Sequence, residues 1–515
     1  MSSRVAGLHV RGGSGGVAVG LDALDQAARA LADVAEEAAV VVGLVARAAA
    51  DPDVVAGALL SPATAAVAEA ALAEVVGPLG LGGELAAVLA LAATVRAAVA
   101  AYRGAEAAAL ATVERAQDAV LFAAGRMAPD LLVGVLALDA LGVDVPGLLD
   151  RTAFDHPLVA DLAGGAEGLV LGLRSNPLTA PLVPVRGAPA VGGPVGSAGP
   201  VSSVGSVGSV GSVGPAPPLG AGGADRDYER AVQTLADSAA LWGLLDDRGR
   251  AQVTVEPVPR AGGRAPRDLR DLAADQGNVG DGEGYPGHVR VIEVPQPGGS
   301  VWVVEVSGTQ DWGLRAGGSP FDLTTDVRSM AQASTVLADG VQQALARAQA
   351  DSAGPSPSSS AARGDAVMLV GHSLGGIAAA GLAASPRFAA EHRVTHVVTL
   401  GAPVARMPVP TSTQVLSLEH TRDPVPRLDG ERNPDRATWV TVTRDVHDHG
   451  AEGAEAAARA SRAHDLDAYV ETAGLVDDST DPSVESWRAT TAPFFDGATH
   501  GEPVIRDYLV RRVRP

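Results

Sequence analysis

The segment AVMLVGHSLGGIAAAGLAA, residues 366–384, holds the side chain best placed for covalent chemistry. A β-rich run ends at Val370, Gly371-His372-Ser373-Leu374-Gly375 follows, and a stretch of small residues with helical character comes next. Glycines two before and two after Ser373 permit a sharp strand-to-helix turn that lifts its hydroxyl above a sheet. A serine so placed can attack an acyl carbon, and the Leu374 N–H can stabilise the resulting oxyanion. The competing reading is a chance pattern in a glycine-rich chain. The strand before it and the helix after it argue against chance.

A serine hydroxyl is inert until a base takes its proton, and the base needs an acid to orient it. Downstream, Val415–Leu418 reads as a strand and runs into Glu419-His420-Thr421-Arg422-Asp423-Pro424-Val425-Pro426. Asp423 falls at the strand's end in a loop stiffened by two prolines, where such an acid belongs. An ordinary Asx turn ahead of Pro424 would use the same residue. Glu419 and Asp429 are the reserves. Four histidines follow: His447, His449, His464 and His500. His464, in SRAHDLDAY, lies at a loop-to-helix boundary from which the ring can reach back across the strand ends, so it is favoured as the base. His449, His447 and His500 are the alternatives. His447 and His449 also have metal-ligand spacing, but no acidic cluster accompanies them to demand a metal. His420 is too close to Asp423 in sequence, and His372 is expected to flank the turn.

A second oxyanion donor should come from an earlier strand end. VWVVEV, residues 301–306, runs into Ser307-Gly308-Thr309, and Thr309 is the candidate, with a plain β-turn as the competing reading.

Taken together, GHSLGG, THVVTLGAPVAR, SLEHTRDPVPRL and VSGTQDWG resemble the class 3 (fungal-type) lipases of the α/β-hydrolase superfamily. The resemblance covers roughly residues 285–475. It implies Ser373 as nucleophile, Asp423 ahead of its Val-Pro element as acid, and Thr309 after Gly308 as oxyanion residue, with Asp311-Trp312 matching a downstream pair. Ser307-Gly308 departs from the family's usual Arg-Gly. The implied activity is hydrolysis of a carboxylic ester or lipid through an acyl-serine. Aromatics are 3% of the chain and residues 310–320 are polar and glycine-rich, so the sequence leaves the acyl chain open.

Three zones must position these residues. Residues 226–515 alternate strand-like and helix-like runs, the pattern of an α/β-hydrolase domain with a mostly parallel sheet flanked by helices. Val289–Val294 and Val301–Val306 flank PQPGG and read as a hairpin. His396–Leu400 and Trp439–Val442 are further strands, and residues 321–350 and 451–474 read as helices. Residues 175–225 are rich in Pro, Gly, Ser and Val, with Ser-Val-Gly repeated, and read as a flexible linker. Residues 1–174 are Ala-rich with three-and-four periodicity and read as an all-α bundle or hairpin. Asp51-Pro52 and Ser61-Pro62 mark helix ends.

The charge balance excludes some partners. Sixty acidic against 39 basic residues leave −21, and the chain has no lysine. Phosphate backbones need a basic face, so nucleic acid is not expected. Zero cysteines exclude disulfides and thiolate metal sites. No secretory leader and no uninterrupted membrane-length apolar run is expected, because Arg96 breaks the longest. The helical half resembles the small-residue helical substrates of type VII secretion, with Tyr102-Arg103-Gly104-Ala105-Glu106 fitting a Tyr-x-x-x-Glu signal, although the usual Trp-x-Gly turn is missing. That resemblance implies cytoplasmic residence or export by a non-Sec route. It also gives an alternative function: a secreted effector or interaction protein whose residues 1–174 bind a helical partner and whose hydrolase half is a toxin or inactive.

Overall fold

The computed structural model describes residues 7–77, 80–131, 152, 155–183, 224–255, 265–280, 286–352, 364–446, 460–495 and 500–514. The N-terminal half is helical, and the C-terminal half is a mixed sheet with helices on both faces.

The chain begins with strand β1 (Leu8–Gly12) and continues through helices α1 (Val17–Ala49), α2 (Pro52–Leu60), α3 (Pro62–Val76), α4 (Leu81–Arg126), α5 (Ala166–Ser175) and α6 (Ala224–Ala240). Then come β2 (Arg250–Val255), α7 (Leu269–Gly280), β3 (His288–Gln296), β4 (Gly299–Val306), α8 (Leu323–Met330), α9 (Val336–Ser352) and β5 (Ala366–His372). After them run α10 (Leu374–Ala384), α11 (Pro386–Glu391), β6 (Arg393–Leu400), β7 (Gln414–His420) and β8 (Trp439–Arg444). The last elements are α12 (Ala460–Ala463), α13 (Leu466–Asp477), α14 (Pro482–Phe495) and β9 (Val504–Val513).

Nine strands form one sheet in the order β1-β8-β7-β6-β5-β4-β3-β9-β2. Strands β4 to β8 are parallel neighbours, whereas β1, β3, β9 and β2 pair antiparallel. The sheet is therefore mixed, not mostly parallel as the strand–helix alternation suggests. Three of its nine strands, β1, β3 and β2, run against the central five, while β9 runs with them but pairs antiparallel to both its neighbours. β1 comes from the segment read as all-helical: Leu8–Gly12 pairs with Arg444–Val440 at the sheet edge.

Alternate side chains on the central strands serve two cores. Val367 and Leu369 face one, with Trp302, Val304, Leu337 and Val341. Met368 and Val370 face the other, with Val303, Leu272, Tyr469 and Trp487. Burial on both faces is why these strands read as unbroken apolar runs. Trp487 and Phe494 belong to the second core, at 4% and 1% exposed.

The helix expected over 321–350 divides at Gln332, whose φ is 52°, and α9 restarts with the Thr335 hydroxyl accepting from Ala338 N. In the region expected as a helix over 451–474, α12 and α13 are parted at His464-Asp465; residues 451–459 lie outside the described residues.

In the helical half, α1 and α4 run antiparallel, with Asp22 pairing Arg103 and Asp25 near Arg96. Ala28 and Ala35 of α1 and Ala92 and Val99 of α4 are buried, so backbones meet across small residues. Glycines bring the far end of α4 against α5: a Cβ on Gly168 would lie 2.1 Å from Asp118 O, and one on Gly125 2.5 Å from Leu169 O. Arg427 pairs with Asp161 at 3.0 Å and Tyr228 OH donates to Leu428 O at 3.1 Å, joining these helices to the sheet domain. Residues 175–183, the start of the expected linker, fold against α4 and α5 through Asn176 Nδ2 to Arg126 O and Thr179 Oγ1 to Leu173 O. Residues 184–223 lie outside the described residues. Tyr102 and Glu106 stand well inside α4, not at its end. By length and composition the helical stretch Pro62–Arg126 can cross a membrane, despite Arg96.

Candidate active site

β5 delivers Ser373 onto a tight turn before α10. Ser373 has φ 53° and ψ −121°, a backbone conformation that strains a side-chain-bearing residue. The turn closes only because its neighbours lack Cβ atoms. One on Gly375 would lie 1.9 Å from Val306 O, and one on Gly371 2.1 Å from Gly375 C. Ser373 N donates to Leu400 O at 2.9 Å, tying the turn to β6. The residue keeps 5% of its surface exposed. It caps α10, so the first N–H groups of that helix, beginning with Leu374, lack intrahelical acceptors and carry the positive end of its dipole.

Asp423 follows β7 and is fully buried. Its two oxygens have separate tasks. Oδ1 accepts from Val425 N at 2.8 Å, which is the Asx turn. Oδ2 accepts from His464 Nδ1 at 2.7 Å and from Tyr469 OH at 2.6 Å. The Asx turn and the contact with His464 thus use one oxygen each.

With Nδ1–H given to Asp423, His464 keeps its Nε2 lone pair as a proton acceptor. Two further histidines hold the backbone around it. His372 Nε2 donates to His464 O at 3.0 Å, and the two rings lie 4.7 Å apart between centroids. His420 Nδ1 donates to Ala463 O at 2.7 Å while its ring stacks on Tyr469 at 3.9 Å. Burial pushes His372 down to about 3 and His420 to about 4, so both are neutral at pH 7. His464 therefore stands beside the immediate neighbour of Ser373. Among the described residues no hydrogen bond joins Ser373 Oγ to His464. Contacts of this kind commonly tighten only once substrate is bound.

Gly308 lies against Ser373: a Cβ there would be 3.4 Å from Ser373 Cβ and 3.2 Å from His372 Nδ1. Thr309, next in the chain, donates its hydroxyl to Asp326 Oδ2 at 3.0 Å. Asp326 stands in the first turn of α8, which is capped by the side chain of Asp322 and anchored through it to Arg512. Burial raises the Asp326 carboxyl to about 7, while the Thr309 hydroxyl and the nearby His464 pull it the other way.

The remaining sequence candidates lie elsewhere. Asp429 accepts from Ala405 N at 2.8 Å and Glu419 from Asn433 Nδ2, so both reserves serve loops. His500 is exposed just before β9, whose start pairs with Glu293 opposite Trp302, at the end of the sheet away from Ser373. His447 and His449 lie outside the described residues. Among the described residues no His, Asp and Glu set is arranged to hold a metal.

Sequence reasoning passed over Tyr469 and Asp326. Tyr469 is one of only five tyrosines, five residues after His464, and that scarcity was its one available signal. Asp326 carries none, because its link to the site exists only through α8 packing.

Searches among curated proteins and among solved structures gave no match. The likenesses to class 3 lipases and to type VII substrates are not among the findings. A family match covers residues 323–474, which include Ser373, Asp423 and His464 and leave Thr309 outside. That stretch is similar to the PGAP1-like alpha/beta domain, of the α/β-hydrolase-like superfamily.

Proposed function

We propose that the protein is a serine hydrolase that cleaves carboxylic esters through Ser373, His464 and Asp423. The observation that carries this reading is the Asp423–His464 hydrogen bond placed beside a serine on a strained, glycine-flanked turn. His464 Nε2 takes the Ser373 proton as Oγ attacks the ester carbonyl carbon. The carbonyl electrons move onto oxygen, where the Leu374 N–H and a donor from Thr309 meet them. Collapse expels the alcohol, which leaves with the proton held on His464, and the acyl group stays on Ser373. Water then repeats the sequence in reverse roles and releases the acid. Asp423 holds the imidazole in the productive tautomer.

The groups around Ser373 are imidazoles, carboxylates, hydroxyls and backbone donors, which suits acyl transfer without a metal or organic cofactor. The test is p-nitrophenyl ester turnover by the full chain against Ser373→Ala. Turnover that disappears with the hydroxyl supports the reading, and turnover that persists removes Ser373 from it.

A further inference from the structure

The five tryptophans divide into two groups. Trp302, Trp439 and Trp487 are buried at 1%, 0% and 4% exposed, whereas Trp242 and Trp312 stand 64% and 63% exposed. The two bare indoles lie on neighbouring loops. Leu245 N donates to Leu314 O at 2.8 Å, and a Cβ on Gly243 would sit 3.6 Å from the Arg315 guanidinium. Leu241 and Leu314, at 72% and 53% exposed, belong to the same two loops. A lone exposed leucine needs no explanation, but four large apolar groups gathered on touching loops do. One of these loops is the direct continuation of Gly308-Thr309, the segment that abuts Ser373.

The chemistry of the patch points to a lipid surface. Indole has an apolar body and one N–H, and it favours the boundary between hydrocarbon and water. Exposed Arg315 can lay its methylenes along such a boundary and leave its head in water. Leu241 also lines a cleft of about 600 Å³ in which Asp237 and Asp246 pair with Arg328 and Arg248. The net charge of −21 disfavours an anionic surface.

We propose that Leu241, Trp242, Trp312 and Leu314 seat the protein on a zwitterionic phospholipid bilayer, so that Ser373 meets acyl esters drawn from that layer. The inference rests on the ester-hydrolase reading for the substrate and deepens it by naming how the substrate is presented. Attachment is apolar, so it survives high salt, unlike adhesion through basic residues.

The test uses the full chain carrying Ser373→Ala, so that binding is read without turnover. Phosphatidylcholine vesicles should carry this chain upward in a flotation gradient at low and at high salt, with tryptophan emission shifted to the blue. Adding Trp242→Ser and Trp312→Ser should reduce flotation at least about tenfold, with an unchanged thermal midpoint because both side chains are exposed. Flotation equal with and without the two indoles overturns the proposal, as does no flotation at all. It is also overturned if the double substitution turns a dimer into a monomer by light scattering, which would make the patch a seam between copies. Loss of the ester-hydrolase reading would appear instead as absent p-nitrophenyl ester turnover, with flotation intact.

Discussion

The Tyr469 hydroxyl and His464 Nδ1 converge on one oxygen of Asp423, at 2.6 and 2.7 Å. The other oxygen is already committed to Val425 N. A fully buried carboxyl group is thereby satisfied by three donors. Asp423→Asn leaves the shape and loses the charge. It should lower kcat about a thousandfold or more, because an amide cannot enforce the imidazole tautomer. Tyr469→Phe removes a single donor and should lower kcat only about tenfold. Equal losses in the two variants would contradict this division of roles.

Asp326 gives a pH signature. Its carboxyl is raised to about 7 by burial, and its charge is felt at His464. Ionised, it favours the imidazolium that forms as Ser373 gives up its proton. The kcat/KM profile should therefore rise through an ionisation near 7, and Asp326→Asn should lack that step. The stability consequence has the opposite sense. A raised carboxyl binds its proton more tightly in the folded state, so its contribution is full below the ordinary aspartate range and is lost as pH rises toward about 7. Urea unfolding of the Asn variant should show a weaker decline over that window. A pH–rate profile identical to that of the parent chain would remove Asp326 from the site's electrostatics.

Buried histidines act on the acid side. His396, bonded to Thr395 and Thr490, is lowered to about 4 by burial. A lowered histidine contributes stability that is present above its ordinary value of about 6.5 and is lost as pH falls toward the folded value. The His396 contribution should therefore fade between about pH 6.5 and 4, so the difference in unfolding free energy between the parent and His396→Gln should shrink over that window while ester turnover at neutral pH persists. An unchanged difference would show that His396 is already charged in the folded protein.

Two glycines of α10 should respond in opposite ways. Gly375→Ala would press a methyl into Val306 O at 1.9 Å, a backbone contact that cannot yield, and should destabilise by at least about 2 kcal/mol. Gly381 has open space around its Cβ position. Gly381→Ala should stabilise by up to about 1 kcal/mol through helix propensity alone. Thermal unfolding of the two variants reads the difference, and equal effects would contradict the close approach at the turn.

The sequence and the structure part where contacts become long-range. The Gly371-Ser373-Gly375 turn is legible because strand, turn and helix are contiguous and each leaves a local mark. Asp423 is legible for the same reason, at a strand's end before proline. β1 is not, because LHVRG is five residues long and its pairing partner lies more than 400 residues later. β9 is masked by its charged alternation, IRDYLVRRV, although it supplies the sheet's third antiparallel partner. The mixed sheet follows from these two strands and the β3–β4 hairpin, which a strand–helix alternation cannot reveal. Asp326, Tyr469 and the exposed pair Trp242 and Trp312 acquire meaning only when separate loops are brought side by side. The polar, glycine-rich look of residues 310–320 concealed the aromatic surface that Trp312 shares with the loop at Trp242.

Reaction of the full chain with a fluorophosphonate, followed by intact mass and peptide mapping, tests the centre of this reading most directly. The reagent forms a stable bond only with a serine whose proton a neighbouring base removes. One adduct is expected, on Ser373, absent from Ser373→Ala and formed far more slowly by His464→Ala. An unmodified chain, or an adduct that forms equally well without the Ser373 hydroxyl, would contradict it.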